Sequence, residues 1–274
     1  MSRSIQPIAL LGGLLGLCAG CASGPGFAVK NDLAYSPGGG PRQSGDLYLP
    51  AGPGPHPAAV VMHGGGWTGR DRSDMAGVAE LLAENGIAAF NINYRLAPEH
   101  RFPAQLEDVH AALRFLASEA ADRDLDPERF ITLGYSAGGH LALLAAGVED
   151  PDGPEVRAVI AGGAPTKLLL YPKSPFITKL IGGSPEEQPE DWVEASPLHY
   201  VDAEFPPVFL YHGGLDRIVE AKNSKLMKRA LESHGVPVEL DLRRWFGHLI
   251  LGIRQTPSVR KGIGFVRDVF EDEK

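Results

Sequence analysis

The sequence of 274 residues is 43% hydrophobic and 22% charged, the balance of a water-soluble globular chain. Its formal net charge of −8 gives a nucleic-acid surface no electrostatic support, and no apolar run reaches the roughly 20 residues that a membrane-spanning helix needs. Both cysteines, Cys18 and Cys21, lie near the start, so the body of the chain has no disulfide, no paired-cysteine zinc site and no cysteine nucleophile.

In chain order, a processing segment comes first. Arg3 is the only charged side chain before Lys30. The apolar run over residues 8–19 is too short to cross a bilayer but has the length of a secretory h-region. Residues 17–23, Leu-Cys-Ala-Gly-Cys-Ala-Ser, then resemble a bacterial lipoprotein processing site, with Cys18 standing where Leu is usual. The resemblance implies a signal peptide over 1–20, lipidation of Cys21, and an exported, membrane-anchored protein. A plain secretory signal is the alternative. Residues 21–45 read as a Gly/Pro/Ser-rich tether with one weak strand near 27–30.

From residue 46 the pattern becomes regular. A short strand is predicted at 46–49, and 58–62 is the continuous apolar run of a buried strand. Met75, Val78, Leu81 and Leu82 carry helical spacing. A strand follows at 87–94, and Leu106, Val109, Leu113 and Leu116 mark a second helix. The chain continues with a strand at 129–133, an Ala/Leu helix at 137–146 and a strand at 156–161. Residues 165–207 break the alternation with Pro, Gly and charge, and are expected to form a lid or binding insertion. Strands at 208–211 and 238–242 and helices at 220–233 and 259–270 complete the chain. This alternation predicts an α/β domain over 46–274, with a mostly parallel twisted sheet and helices on both faces.

The strongest chemical signal is Gly134-Tyr135-Ser136-Ala137-Gly138 between a strand and a helix. A G-x-S-x-G at such a sharp turn needs glycines where the backbone is crowded, and it holds the serine hydroxyl above the sheet edge. The amide of Ala137 then opens a helix, where free N–H groups favour developing negative charge. After the first buried strand, His63-Gly64-Gly65-Gly66-Trp67 supplies a second set of free amides without any phosphate-binding signature. A serine nucleophile needs a base and a carboxylate that orients it, in the chain order Ser, Asp/Glu, His. That order leaves His199, His212, His234 and His248. His248 follows a strand near the C-terminus and suits the base best; His212 reads as structural and His234 as a surface residue. Asp216, in the loop after the penultimate strand, suits the acid better than Asp202, Glu204 or Asp241.

These pieces, HGGGW (63–67), NYRLAPEHRFPAQLEDV (93–109), GYSAGGHLA (134–142), HGGLDRIV (212–219) and GH (247–248), together resemble an α/β-hydrolase of the esterase/lipase group with hormone-sensitive-lipase-like and carbohydrate-esterase-like members. The resemblance implies a triad of Ser136, Asp216 and His248, an oxyanion hole from the amides of Gly65, Gly66 and Ala137, and no metal or cofactor. Asp108, Arg95 and Glu99 match positions read as structural polar contacts beneath the site. Tyr135 stands where the hormone-sensitive-lipase-like branch usually has Asp, which moves the match toward small secreted carboxylesterases and deacylases. Trp67 and Tyr135 are expected at the substrate, and Tyr171, Phe176 and Trp192 are candidates to line its pocket, with plain packing of the lid the first reading for each. The expected substrate is a small ester or an acylated saccharide. Amidase, formamidase or peptidase-like chemistry on the same fold is the alternative, ahead of a non-catalytic binding role.

Overall fold

The computed structural model describes residues 26–272, so the signal segment and Cys21 lie outside the described residues. Eight strands form one sheet: β1 (Phe27–Ala34), β2 (Ser44–Pro50), β3 (His56–Met62), β4 (Ala88–Ile92), β5 (Leu125–Tyr135), β6 (Val156–Gly162), β7 (Val208–Gly213) and β8 (Val238–Arg243). Their spatial order is β1-β2-β4-β3-β5-β6-β7-β8. The pairs β1–β2 and β2–β4 are antiparallel and every later pair is parallel. This is the mostly parallel sheet that strand–helix alternation predicts.

The helices are α1 (Ala76–Glu84), α2 (Ala104–Ser118), α3 (Ala137–Gly147), α4 (Pro175–Ile181), α5 (Pro189–Glu194), α6 (Lys222–Ser233), α7 (His248–Ile253) and α8 (Thr256–Asp272). Side-chain alternation along the strands feeds two apolar layers. Ala58, Val60 and Met62 of β3 pack with Val109 and Leu113 of α2 and Leu141 and Leu144 of α3. Ala59 and Val61 pack on the other face, with Leu81 and Leu82 of α1 and Val259, Ile263 and Val266 of α8.

Strand ends differ from the sequence pattern for local reasons. β1 runs on past Lys30 to Ala34: its pairing with β2 breaks at a bulge over Asn31 and Asp32, where the Asp32 amide donates to Asp46 Oδ1 at 2.9 Å, and resumes at Leu33. β4 stops at Ile92, and the next two residues bond across the sheet: the Asn93 amide donates to the Ser44 carbonyl at 2.9 Å and the Tyr94 hydroxyl to the His63 carbonyl at 2.9 Å. β5 starts four residues before the apolar run and pairs Leu125 with His56.

The segment 165–207 carries α4 and α5. Ser174 accepts from the Ile177 amide, Pro175 opens α4, and Gly182 closes it at φ 101°. Trp192 is fully buried, and its indole donates to the Gly183 carbonyl at 3.1 Å. Its place is therefore the core of the insertion, the packing role that is the first reading of the sequence, and not the cleft wall, because the aromatic bulk stabilises more there than at a wet rim.

The parallel strands share a direction, so the segments leaving β3, β5, β7 and β8 emerge at one edge of the sheet. Those segments begin with His63, Ser136, Gly214 and Arg244. A carboxyl edge of this kind is where open α/β sheets bind ligands.

Candidate active site

Ser136 sits between β5 and α3 at φ 56° and ψ −120°, a conformation that non-glycine residues rarely adopt. Crowding forces it. A Cβ on Gly134 would lie 2.3 Å from the Gly138 carbonyl, and one on Gly138 would lie 2.1 Å from the Met62 carbonyl. The glycines of the motif are thus required by space, and the elbow is pressed against the end of β3. The Ser136 amide donates to the Gly162 carbonyl at 2.7 Å, which fixes the turn to β6 as well.

The structure brings Ser136, His248 and Asp216 together from positions as much as 112 residues apart. Ser136 Oγ is 2.9 Å from His248 Nε2, and His248 Nδ1 is 2.6 Å from Asp216 Oδ2. The carboxylate holds the imidazole proton on Nδ1, which leaves the Nε2 lone pair to accept the serine hydroxyl. Asp216 Oδ1 accepts the amides of Ile218 and Val219, each at 2.9 Å. Burial by itself would raise the Asp216 pKa; hydrogen bonds from His212, His248 and the Val219 amide outweigh it and hold the carboxyl well below the usual range.

His212, read as structural, is fully buried next to this carboxylate. Its Nε2 lies 2.8 Å from the Val219 carbonyl and 3.4 Å from Asp216 Oδ2, so one N–H faces both acceptors. Its Nδ1 is 2.7 Å from Ser224 Oγ on α6. His199 and His234 are exposed, and Asp241 is engaged by Lys261 and Ser258 at 2.6 and 2.7 Å.

The glycine loop lies directly against the elbow: a Cβ on Gly64 would be 3.4 Å from that of Ser136. Gly65, Gly66 and Trp67 take φ values of 109°, 59° and 59°. A tryptophan at positive φ is strained, and two bonds hold it there. The Ala97 amide donates to the Trp67 carbonyl at 2.9 Å, and the Trp67 indole donates to His140 Nδ1 at 3.2 Å. His140 Nε2 in turn donates to the Ala195 carbonyl at 2.7 Å. Burial pushes the His140 pKa down to about 4, so this imidazole is a neutral bridge from the loop through α3 to the insertion. His63 also stays neutral, pushed down to about 4 by burial; its Nδ1 donates to the Gly64 carbonyl at 2.7 Å and its ring stacks on Tyr94 at 4.3 Å.

An open cleft of about 1030 Å³ contains Ser136, Ala137, Gly65, Gly66 and His248. Trp67, Tyr135, Tyr171 and Phe176 all line it. Tyr135 also has a second connection that its motif position does not reveal. Its hydroxyl donates to the His248 carbonyl at 2.6 Å, and its ring lies 5.2 Å from the imidazole. Tyr171 anchors the insertion: its hydroxyl accepts from the Glu220 amide at 2.9 Å and from Asn223 Nδ2 at 2.6 Å.

Beneath the site, Arg95 pairs with the buried Asp108 at 2.8 Å, and the Arg95 amide donates to the same carboxylate at 2.7 Å. Glu99 departs from the expectation: it is exposed and makes no polar contact among the described residues.

Against this geometry, the sequence profile of the BD-FAE family matches residues 46–231. The chain belongs to the BD-FAE family. Among curated proteins, this BD-FAE chain is 30% identical to Esterase LipQ of Mycobacterium tuberculosis over 226 residues, covering 76% of this chain and 54% of that protein. It spans about half the length, or less, of the curated relatives it matches. Among solved structures, it matches a truncated carbohydrate esterase from gut microbiota with a TM-score of 0.79 at 24% identity, covering 89% of this chain and 97% of that one. It also matches an acetyl ester-xyloside bifunctional hydrolase from Caldicellulosiruptor lactoaceticus with a TM-score of 0.74 at 27% identity, covering 85% and 90%. The mostly parallel sheet flanked by helices is thus the α/β-hydrolase fold of this BD-FAE chain.

Proposed function

We propose that the protein hydrolyses carboxylic esters by serine acyl transfer. The observation that carries this reading is the continuous hydrogen-bonded chain from Ser136 Oγ through His248 to Asp216, with its serine end in a cleft. Ser136 attacks the ester carbonyl carbon while His248 Nε2 takes the hydroxyl proton. Negative charge then develops on the carbonyl oxygen beside the amides of Gly65, Gly66 and Ala137, each such donor being worth about 3 kcal/mol. His248 returns the proton to the departing alcohol. Water, deprotonated by the same imidazole, then attacks the acyl-serine and releases the acid. Asp216 stays ionised throughout and stabilises the imidazolium, in keeping with its depressed pKa.

Esters with a short acyl group are the substrates to which this reading commits, with acetylated saccharides a specific case prompted by the xyloside hydrolase relative. The reading is tested with Ser136→Ala on nitrophenyl esters of graded acyl length and on acetylated xylan. Loss of turnover, together with a fluorophosphonate adduct on Ser136 of the wild type, supports it; turnover retained in the variant removes the nucleophile. Membrane attachment through a lipidated Cys21 belongs to the same proposal, and labelled palmitate should enter the wild type and not Cys21→Ser.

A further inference from the structure

Large apolar side chains that stand in solvent are unevenly placed on this protein. Among the described residues, Val29, Leu169 and Leu242 are 38–41% exposed, as scattered surface residues often are. The remaining seven are 50–83% exposed; Phe176, Ile218, Leu249 and Ile253 line the cleft, and Leu215, Trp245 and Ile250 stand on the loop, turn and helix that carry or adjoin them. Leu215 and Ile218 come from the loop after β7, Trp245 from the turn after β8, and Leu249, Ile250 and Ile253 from α7. Phe176 of α4 closes the ring across the cleft, which Ile218, Leu249 and Ile253 also line. The two turns are stitched together: the Gly214 amide donates to the Arg243 carbonyl at 2.9 Å and the Leu215 amide to the Phe246 carbonyl at 3.0 Å. On α7, His248 and Leu251 are buried and the outward face is apolar, the reverse of a helix whose outer side meets only water.

Cations are interleaved with these side chains. Arg217, Arg244, Arg254 and Lys173 are exposed, and none forms an ion pair among the described residues. The acidic groups beside them are already engaged: Glu220 with Lys222, Asp74 with Arg70, Asp241 with Lys261, and Asp216 with His248. The unpaired charge of this face is therefore positive, on a chain whose formal net charge is −8. Two copies meeting through the face would oppose like charges. An anionic lipid leaflet matches it on both counts, since apolar side chains enter the acyl boundary, tryptophan sits at the interface, and arginine meets the headgroups.

We propose that the face formed by residues 215–218, Trp245 and α7 docks on an anionic lipid surface, with the cleft mouth turned toward the bilayer. The proposal does not depend on the ester-hydrolase reading, and its test uses no turnover.

Trp67 and Trp192 are 3% and 0% exposed, whereas Trp245 is 78% exposed, so a quencher within the bilayer reads Trp245 selectively. The full-length protein is mixed with vesicles of brominated phosphatidylcholine, either alone or with about a third phosphatidylglycerol. An N-terminal lipid anchor could hold the chain on either vesicle without bringing Trp245 into the bilayer. The expected result is quenching on the anionic vesicles and little on the zwitterionic ones. Trp245→Phe should abolish it, and so should Leu249→Glu combined with Ile253→Glu, in proteins whose circular dichroism is unchanged. Replacing Arg217, Arg244 and Arg254 by Gln should weaken anionic-vesicle binding by roughly a hundredfold. Unquenched Trp245 on anionic vesicles, equal quenching on both lipids, or a dimer in solution that shields Trp245 would each overturn the proposal.

Discussion

The two halves of the site are built by different means. On the nucleophile side, the elbow and the glycine loop are fixed by main-chain crowding: Gly134, Gly138, Gly65 and the end of β3 leave no room for a single added carbon. On the acid–base side, Asp216 and His248 hang on turns after the last two strands, held by side-chain and amide hydrogen bonds and bordered by exposed apolar residues. Crowding on the acid–base side is local: a Cβ on Gly213 would lie 2.4 Å from the Phe246 carbonyl and one on Gly214 2.6 Å from the Arg244 carbonyl, whereas Gly247 beside His248 has room. What sets this side apart is its dependence on each polar partner, because a carboxylate or imidazole left unmatched in a buried site costs more than the bond itself contributed.

That contrast can be broken in graded ways. Asp216→Asn keeps the shape of the acid–base side and removes the charge that fixes the tautomer of His248; kcat on a nitrophenyl ester should fall about 10⁴-fold, and a fall below tenfold would refute the role of that carboxylate.

Acid should affect the nucleophile side earlier. His63 and His140 are held near pKa 4 in the folded chain, against an ordinary value of 6.5. Between those values the unfolded chain binds more protons, so stability falls as pH drops from 6.5 toward 4, by about 3 kcal/mol for each ring. The depressed Asp216 works in the same direction but lower, since its contribution is lost only as pH falls beneath the ordinary carboxylate range. Denaturant unfolding at pH 7 and pH 4.5 measures the first window; equal midpoints would contradict it.

Gly138→Ala places a carbon 2.1 Å from the Met62 carbonyl and should cost about 3 kcal/mol in the same measurement. Tyr135→Phe cuts the bond between the elbow and the His248 carbonyl, and should lower kcat about tenfold with little change in KM. Gly247→Ala is the smallest change: the nearest atom to the new carbon is 3.6 Å away and φ is −90°, so stability should move by less than about 1 kcal/mol. If Gly247→Ala proved as damaging as Gly138→Ala, the contrast itself would fail.

The same contrast explains what could be read in the sequence. The sheet was legible because buried parallel strands must be apolar runs, and the elbow because crowding demands glycine at fixed offsets. Asp216 and His248 were legible as candidates through chain order. The hydroxyl of Tyr135 was not, since its acceptor is a main-chain carbonyl 113 residues away and carbonyls leave no mark in a sequence. Nor was α7, a short helix without a periodic signal, whose Leu249, Ile250 and Ile253 face outward. The helices of the insertion did leave a signal, the Ser174-Pro175 start and Gly182 stop, beneath a Pro/Gly-rich composition that suggested only a loop.

The imidazole of His140 has a consequence for anyone who would exchange the insertion to retarget the cleft. It accepts from Trp67 on one side and donates to Ala195 on the other, and the ring is fully buried between them. A transplanted segment must therefore present a main-chain oxygen where that of Ala195 stands. A graft without one would strand a buried donor and loosen the tryptophan beside the glycine loop, so activity would suffer before the new pocket ever met its ligand.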